Sequence, residues 1–95
     1  MEHYVSFVVG EELDREEAST LFKVVNKYAP VASVVAVDDE GKEFDQTVMT
    51  MTVTDTSKYE YRIPLIRSLK FETGEKLSRE LAERIDLDFE IEASL

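Results

Sequence analysis

The chain has 95 residues, of which 43% are apolar and 34% are charged, as in folded globular proteins. A chain of this length forms one domain with a single core, so we expect a single domain over residues 1–95. The sequence contains no cysteine. Disulfides, zinc sites with thiolate ligands, iron–sulfur clusters and thiol catalysis are therefore excluded.

The formal net charge is −10, from 21 acidic residues against 11 Lys and Arg. Such a surface repels phosphate backbones, so we expect no direct binding of nucleic acid. The net charge is −7 for residues 1–45, +2 for residues 46–71 and −5 for residues 72–95. No apolar run approaches the ~20 residues of a membrane span, and the N-terminus lacks the basic start of a secretory signal. We therefore expect a cytoplasmic protein that does not bind membranes.

The first two predicted elements are a strand and an amphipathic helix. Tyr4–Val9 is rich in β-branched and aromatic residues, which is typical of a strand. Asp14 is a good N-cap, and Glu17 stands where the second side chain of a capping box reaches back. Apolar residues then recur at helical spacing, which predicts a helix over residues 15–28 that ends before Pro30.

Three further strands are predicted before the second helix. Val31–Val37 is almost continuously apolar, which favours a central strand buried on both faces. A turn at Asp38–Lys42 leads to Thr47–Thr54, where apolar and polar residues alternate. The alternation resumes at Tyr59–Ile63, and Pro64 places that strand at a sheet edge or ends it.

The last predicted elements are a helix and a strand, after residues 65–72, which match no regular pattern. Thr73 can cap a helix, and an apolar stripe follows it. Leu87–Ala93 alternates strictly, which predicts a strand with acidic residues on its outer face. The side chains expected to be buried are Leu21, Phe22, Val25, Leu81, Phe89 and Ile91.

The element order β-α-β-β-(β)-α-β predicts an α+β fold with the split β-α-β order of ferredoxin-like domains. We expect an antiparallel-rich sheet of four or five strands. Two helices should cover one face of this sheet and leave the other face polar.

Few residues are suited to catalysis or metal binding. His3 is the single histidine, and its place before the first strand is typical of an exposed terminal side chain. Nucleophilic catalysis through a Ser–His pair needs a base on a rigid element, and we expect no such base in this sequence. Asp38–Gly41 lacks the ligand spacing of a calcium loop and is typical of a solvated turn. We expect no enzyme activity, no cofactor and no transition-metal site.

Two groups of residues are candidates for partner binding. Asp88, Glu90 and Glu92 should point the same way, about 6.7 Å apart along the last strand. They would attract a basic partner, although charge that protects an edge strand from aggregation gives the same pattern. The second group consists of Tyr59, Tyr61, Arg62 and Arg67, and tyrosine and arginine are enriched at binding hot spots. The competing interpretation is that both tyrosines face the core and both arginines face solvent.

These features predict a small acidic, non-catalytic module that binds a protein partner as an inhibitor, adaptor or subunit. One alternative is a decoy whose carboxylates imitate nucleic-acid phosphates and so inhibit a DNA- or RNA-binding protein, as some small phage inhibitors do. Another is a small-molecule-sensing regulatory domain of the ACT type, which shares the predicted topology. A homodimer formed through an unpaired strand edge is a further expectation.

Overall fold

The computed structural model describes residues 3–93, apart from the side chain of Thr47, and within this range the chain forms six strands and two helices. The fold is therefore α+β, as predicted. In chain order the elements are β1 (His3–Val9), α1 (Arg15–Tyr28), β2 (Ser33–Val37), β3 (Glu43–Thr47), β4 (Thr50–Val53), β5 (Tyr59–Leu65), α2 (Phe71–Arg84) and β6 (Glu90–Ala93).

Within residues 3–93, four strands form one antiparallel sheet in the order β4-β5-β1-β6. On the two central strands, Val5 lies opposite Ile63 and Phe7 lies opposite Tyr61. Because side chains alternate between the faces of a sheet, these four point to the same side. Over the same range, β2 and β3 pair with each other in a separate two-stranded ribbon.

The core lies between one face of the four-stranded sheet and the two helices. Since buried residues of both helices belong to the same cluster as the inward residues of β1 and β5, the helices cover the same face. The buried apolar residues of this cluster are Val5, Phe7, Val9, Leu13, Leu21, Val24, Val25, Ala29, Tyr61, Ile63, Leu65, Leu77, Leu81 and Ile85.

Half of the burial predictions are correct. Buried as expected are Leu21, Val25 and Leu81. The other three residues, Phe22, Phe89 and Ile91, pack against the core but are only half-buried. Phe89 lies just before β6 and Ile91 lies on it. Both are less covered because β6 is the edge strand beside β1. The ring of Phe89 meets the ring of Phe7 edge-on, with 6.2 Å between the ring centres.

Helix α1 begins and ends as predicted. The backbone N–H of Glu17 donates to Asp14 Oδ1 at 2.8 Å, and the N–H of Asp14 donates to Glu17 Oε1 at 3.0 Å. This capping box satisfies two N–H groups that the helix itself cannot pair. The helix ends at Tyr28, two residues before Pro30.

Helix α2 begins at Phe71, three residues earlier than a cap at Thr73 would place it, so the expected cap at Thr73 is wrong. Lys70 occupies the N-cap position, and no described side chain caps this end. The first turn closes through the backbone alone, since the N–H of Gly74 donates to the carbonyl of Lys70 at 2.9 Å. Among residues 3–93, neither helix is long and apolar enough to span a membrane.

Pro64 is the penultimate residue of β5, so it lies next to a strand end, as one of the two predicted alternatives has it, but β5 is a central strand and the other alternative, a sheet edge, is wrong. Strand β4 pairs with β5 only as far as Arg62. The Pro64 nitrogen, which has no proton to donate, therefore faces the side where β4 is absent. The Pro64 carbonyl points the same way and accepts the N–H of Ala32 at 2.9 Å, so proline removes no hydrogen bond between β4 and β5.

The apolar run Val31–Val37 does not form a central strand, and this prediction is wrong. Val31 bridges to Leu65 of β5, but the chain then leaves the sheet as β2 and pairs locally with β3. The predicted strand Thr47–Thr54 is divided accordingly, because residues up to Thr47 belong to β3 and residues from Thr50 belong to β4. We call residues 33–47, which comprise β2, the turn and β3, the arm.

Candidate partner-binding surfaces

The arm is held in shape by its turn at Asp38–Lys42. The N–H of Asp38 donates to the carbonyl of Lys42, and the N–H of Gly41 donates to the carbonyl of Asp38, each at 3.0 Å. Asp38 Oδ1 accepts the N–H groups of Glu40 and Lys42, each at 2.9 Å. Gly41 has a φ of 81°, the left-handed conformation that a three-residue hairpin loop requires at this position.

Both faces of the arm expose apolar side chains. On one face Val35 lies opposite Asp45, and Val37 lies opposite Glu43. On the other face the apolar residues are Val34, Ala36 and Phe44. The exposed fractions of the larger apolar side chains are 51% for Val34, 66% for Val35, 62% for Val37 and 45% for Phe44.

The outer edge of β2 carries unpaired backbone groups. Because Asp38 and Lys42 are joined by a backbone hydrogen bond, the alternation of an antiparallel pair makes Ala36 and Phe44 the next bonded pair. The N–H and C=O groups of Ser33, Val35 and Val37 then point away from β3. No described strand lies on that side of β2, so this edge is free within residues 3–93.

The predicted acidic row is divided by the structure. Glu90 and Glu92 lie on β6 opposite Val8 and Ser6 of β1, and so they face the side of the sheet away from the helices. Asp88 is exposed but precedes the strand, which begins at Glu90 rather than at Leu87. The strand starts late because β1 ends at Val9 and gives residues 87 and 88 no partner.

Two cations lie near the acids on this open face. Lys58 Nζ is 3.5 Å from Glu90 Oε1, and Arg62 Nη2 is 3.7 Å from Glu60 Oε1. The Arg62 guanidinium also lies over the ring of Tyr4, 4.1 Å from its centre, a distance at which a cation–π attraction operates. The open face is therefore mixed in charge.

The residues of the second predicted group do not come together. Tyr61 is 4% exposed, and its hydroxyl accepts the backbone N–H of Leu13 at 2.8 Å. Tyr59 is half-buried against the core. Arg62 lies on the opposite face of β5, and Arg67 is exposed in the segment after β5. Arg62 and Arg67 are thus accessible to a partner, while Tyr61 stabilises the fold.

A groove of about 660 Å³ runs between α2 and β6. Its apolar lining includes Leu69, Phe71 and Ile91, and its charged lining residues are the cations Lys70 and Arg79 and the acid Glu75. Phe71 is 81% exposed. The sequence pattern did not indicate this groove, because Leu69 and Phe71 lie in the stretch that matched no element.

The shifted pKa values belong to a polar cluster that links the helices. Glu80 Oε1 accepts hydrogen bonds from Lys27 Nζ at 2.7 Å and from the Tyr28 hydroxyl at 2.6 Å. Arg84 Nε lies 3.1 Å from Glu80 Oε2. The hydrogen bonds from Lys27 and Tyr28 lower the pKa of Glu80, and the bond to Glu80 raises the pKa of Lys27.

His3 is the first residue of β1 and is half-buried, so it is not the exposed terminal side chain that the sequence predicted. Within residues 3–93, no group of three or more His, Cys, Asp or Glu residues is placed to hold a metal ion.

The sequence pattern predicts the first strand and the turn of the arm, but not its second strand, Glu43–Thr47, nor its position outside the four-stranded sheet. The arm is signalled by an apolar run that stops at an acidic turn with a glycine in its fourth position, Asp38–Lys42, followed at once by Glu43–Thr47. This is a hairpin pattern. Compared with known proteins, the chain matches no family model, and no curated protein is significantly similar to it in sequence.

Proposed function

We propose that this chain is a non-catalytic module that binds a protein partner, as an inhibitor, adaptor or subunit, and that the arm is the main contact. The observation that carries the proposal is the exposure of Val34, Val35 and Val37 on a strand with a free edge. Val35 and Val37 lie on one face of the arm and Val34 lies on the other, and exposed apolar side chains grouped in this way mark interaction sites in soluble proteins.

The fold does not require valine at these positions. Threonine has a similar shape and an equally good strand propensity, and it would hydrate the exposed arm better. Complete burial of a valine side chain contributes roughly 1.5–3 kcal/mol. A partner that covers the three valines of the arm therefore gains a substantial part of its binding energy there.

The partner that this surface suits is basic. The arm contains five acidic residues and one lysine, a net charge of −4, and the whole chain carries −10. Opposite charge on the partner would speed association, and this effect weakens with added salt. Glu90 and Glu92 on the open sheet face, with Asp88 beside them, would add to the attraction.

We further propose that the four-stranded sheet and its helices have the ferredoxin-like split β-α-β order, with the arm as an insertion before β4. The strand order β4-β5-β1-β6 and the antiparallel pairing of every neighbouring pair support this assignment. The arm would then be an addition to a common scaffold, which is where binding functions are usually carried.

A second candidate function is the sensing of a small molecule by the groove between α2 and β6. Its apolar lining, and the cations Lys70 and Arg79 that outnumber the one lining acid, Glu75, suit a small organic acid with an apolar part. A melting temperature that rises with a small-molecule extract in the wild type, but not in Phe71→Ala, would favour it. The nucleic-acid decoy has less support, because Lys58 and Arg62 interrupt the acidic surface.

The test of the proposal is affinity capture, in which the immobilised protein is exposed to an extract of the cells in which it naturally occurs. We expect that the triple variant Val34→Thr, Val35→Thr and Val37→Thr captures the partner at least about tenfold less efficiently than the wild type. The matched control is Met51→Thr with Val53→Thr, which removes exposed apolar side chains from β4 and should capture normally.

The free energy of unfolding of both variants should stay within about 1 kcal/mol of the wild type, because these positions are exposed. Equal capture by the wild type and the triple variant would contradict the role of the arm.

A further inference from the structure

We infer that the partner contributes an extended segment in which cationic and apolar residues alternate, and that this segment pairs as an added strand with the free edge of β2. The inference rests on the proposed function, since it names the part of a protein partner that the arm receives. Addition of a strand to an exposed edge is a common mode of peptide recognition.

The edges of the strands differ in how they are protected against such pairing. Proteins guard free edges with charged side chains or proline. Within residues 3–93, the edge strand β6 carries Glu90 and Glu92, and β3 carries Glu43 and Asp45. The residues of β2, Ser33–Val37, include neither charge nor proline. The edge strand β4 is also uncharged but has only four residues, two of them threonine.

The backbone of β2 is ready to accept a strand. The outward N–H and C=O groups of Ser33, Val35 and Val37 would form the hydrogen bonds of a new ladder with the incoming segment. The inward groups of Val34 and Ala36 are occupied by β3. A partner strand would therefore extend the ribbon to three strands without disturbing the pair that exists.

The side chains of the arm define the pattern of the incoming segment. On the face of Val35 and Val37, the next strand presents Asp45 and Glu43. Lysine or arginine on the incoming segment can lay its stem on these valines and direct its charge toward the two carboxylates. On the face of Val34 and Phe44, apolar side chains would be covered. Alternating cationic and apolar residues satisfy both faces.

A second copy of this chain fits the edge less well than a basic segment. It would bring another arm of net charge −4 to the same edge, so like charges would meet where a basic segment supplies opposite ones. Three strand spacings, about 14 Å, would separate the two β3 strands of such a dimer, so salt near physiological strength largely screens their mutual repulsion, and the second copy is disfavoured mainly because it lacks the cations that a basic segment brings.

The test uses a fluorescently labelled seven-residue peptide of alternating Lys and Val, with binding followed by anisotropy. Val35→Pro removes an outward N–H and blocks the edge, but it spares the hydrogen bonds between β2 and β3. Val53→Pro is the matched control. Since Thr54 donates to Lys58 by the same alternation, the N–H of Val53 also points outward, and Val53 is 62% exposed against 66% for Val35.

We expect Val35→Pro to weaken peptide binding at least about tenfold, through loss of ladder hydrogen bonds, and Val53→Pro to leave it within about twofold. A peptide with the same residues in two blocks, and a peptide of alternating Glu and Val, should bind more weakly than the alternating Lys peptide. If Val35→Pro does not fold, the double variant Val35→Lys and Val37→Lys replaces it. That variant should repel the peptide.

Three results would overturn the inference. They are equal binding by Val35→Pro and the wild type, a loss confined to Val53→Pro, and no binding of the alternating peptide at low salt. Self-association of the wild type that Val35→Pro abolishes, without peptide binding, would identify a second copy as the occupant instead. The proposed function fails separately, because only capture that is insensitive to the threonine variant would contradict it.

Discussion

At the scale of single residues, the two hairpin turns differ at one position. In Asp38–Lys42 and in Thr54–Lys58, the first residue donates its N–H to the last carbonyl, and the fourth residue donates to the first carbonyl. The fourth residue is Gly41 with a φ of 81° in one turn and Ser57 with a φ of 61° in the other. A left-handed conformation costs a residue with a Cβ atom roughly 1–2 kcal/mol.

Ser57→Gly should therefore raise the free energy of unfolding by about 1 kcal/mol, because glycine adopts this conformation without the steric cost. The converse change, Gly41→Ala, should lower it by a similar amount. No described atom lies within 4 Å of a Cβ placed on Gly41, so its cost is that of the backbone alone. Urea denaturation measures the free energy of unfolding of both variants. A free energy of unfolding equal to that of the wild type in either variant would contradict the shared geometry of the turns.

Single residues were predictable from sequence where their contacts are local. The capping box of Asp14 and Glu17 spans three positions and was read correctly, as was the turn at Asp38–Lys42. The sequence did not decide whether Tyr61 lies in the core or on the surface. The hydroxyl of Tyr61 bonds to the backbone of Leu13, which is 48 positions away in the chain. No local pattern reports a contact of that range.

At the scale of elements, the link between α1 and α2 depends on pH through Glu80. Lys27 and Tyr28 hold the folded-state pKa of Glu80 below its ordinary value of 4.5. The link therefore stabilises the fold fully above the unfolded-state pKa, and this stabilisation is lost as the pH falls through the folded-state pKa. Screening by solvent keeps the effect modest, since the Lys27 side chain is 56% exposed.

Glu80→Gln should lower the free energy of unfolding near neutral pH, because a neutral amide bonds more weakly to Lys27 and Arg84. The difference between wild type and variant should shrink as the pH falls below 4.5 and the wild-type carboxylate is protonated. Urea denaturation of the wild type and of Glu80→Gln, from neutral pH to below 4.5, measures this difference in the free energy of unfolding. A difference that stays constant with pH would show that the charge of Glu80 does not contribute to the link.

Elements were predictable where the apolar pattern reports burial. Helix α1 has one apolar stripe, and its bounds were predicted correctly. The valine run before Asp38 has the same composition as a buried strand, and periodicity cannot tell a buried strand from one that leaves the sheet. Strand β6 was predicted too long because its start is set by where β1 ends, which is a tertiary property.

At the scale of the whole molecule, the residues that stabilise the fold are separate from those of the proposed binding surface. The core of the four-stranded sheet and two helices contains no residue of the arm among those described. The arm can therefore change in sequence with little effect on folding. Its exposed valines and its acidic turn give it the two components of a binding surface, an apolar centre and charge around it.

Amide hydrogen exchange along β2, measured in the free protein and in the complex with its captured partner, tests the central claim most directly. In the free protein, we expect the inward amides of Val34 and Ala36 to exchange slowly and the outward amides of Val35 and Val37 to exchange fast. In the complex, the outward amides should slow at least about tenfold as the added strand pairs with them. Outward amides that stay fast, while those of β6 or α2 become protected, would contradict the assignment of the arm as the binding surface.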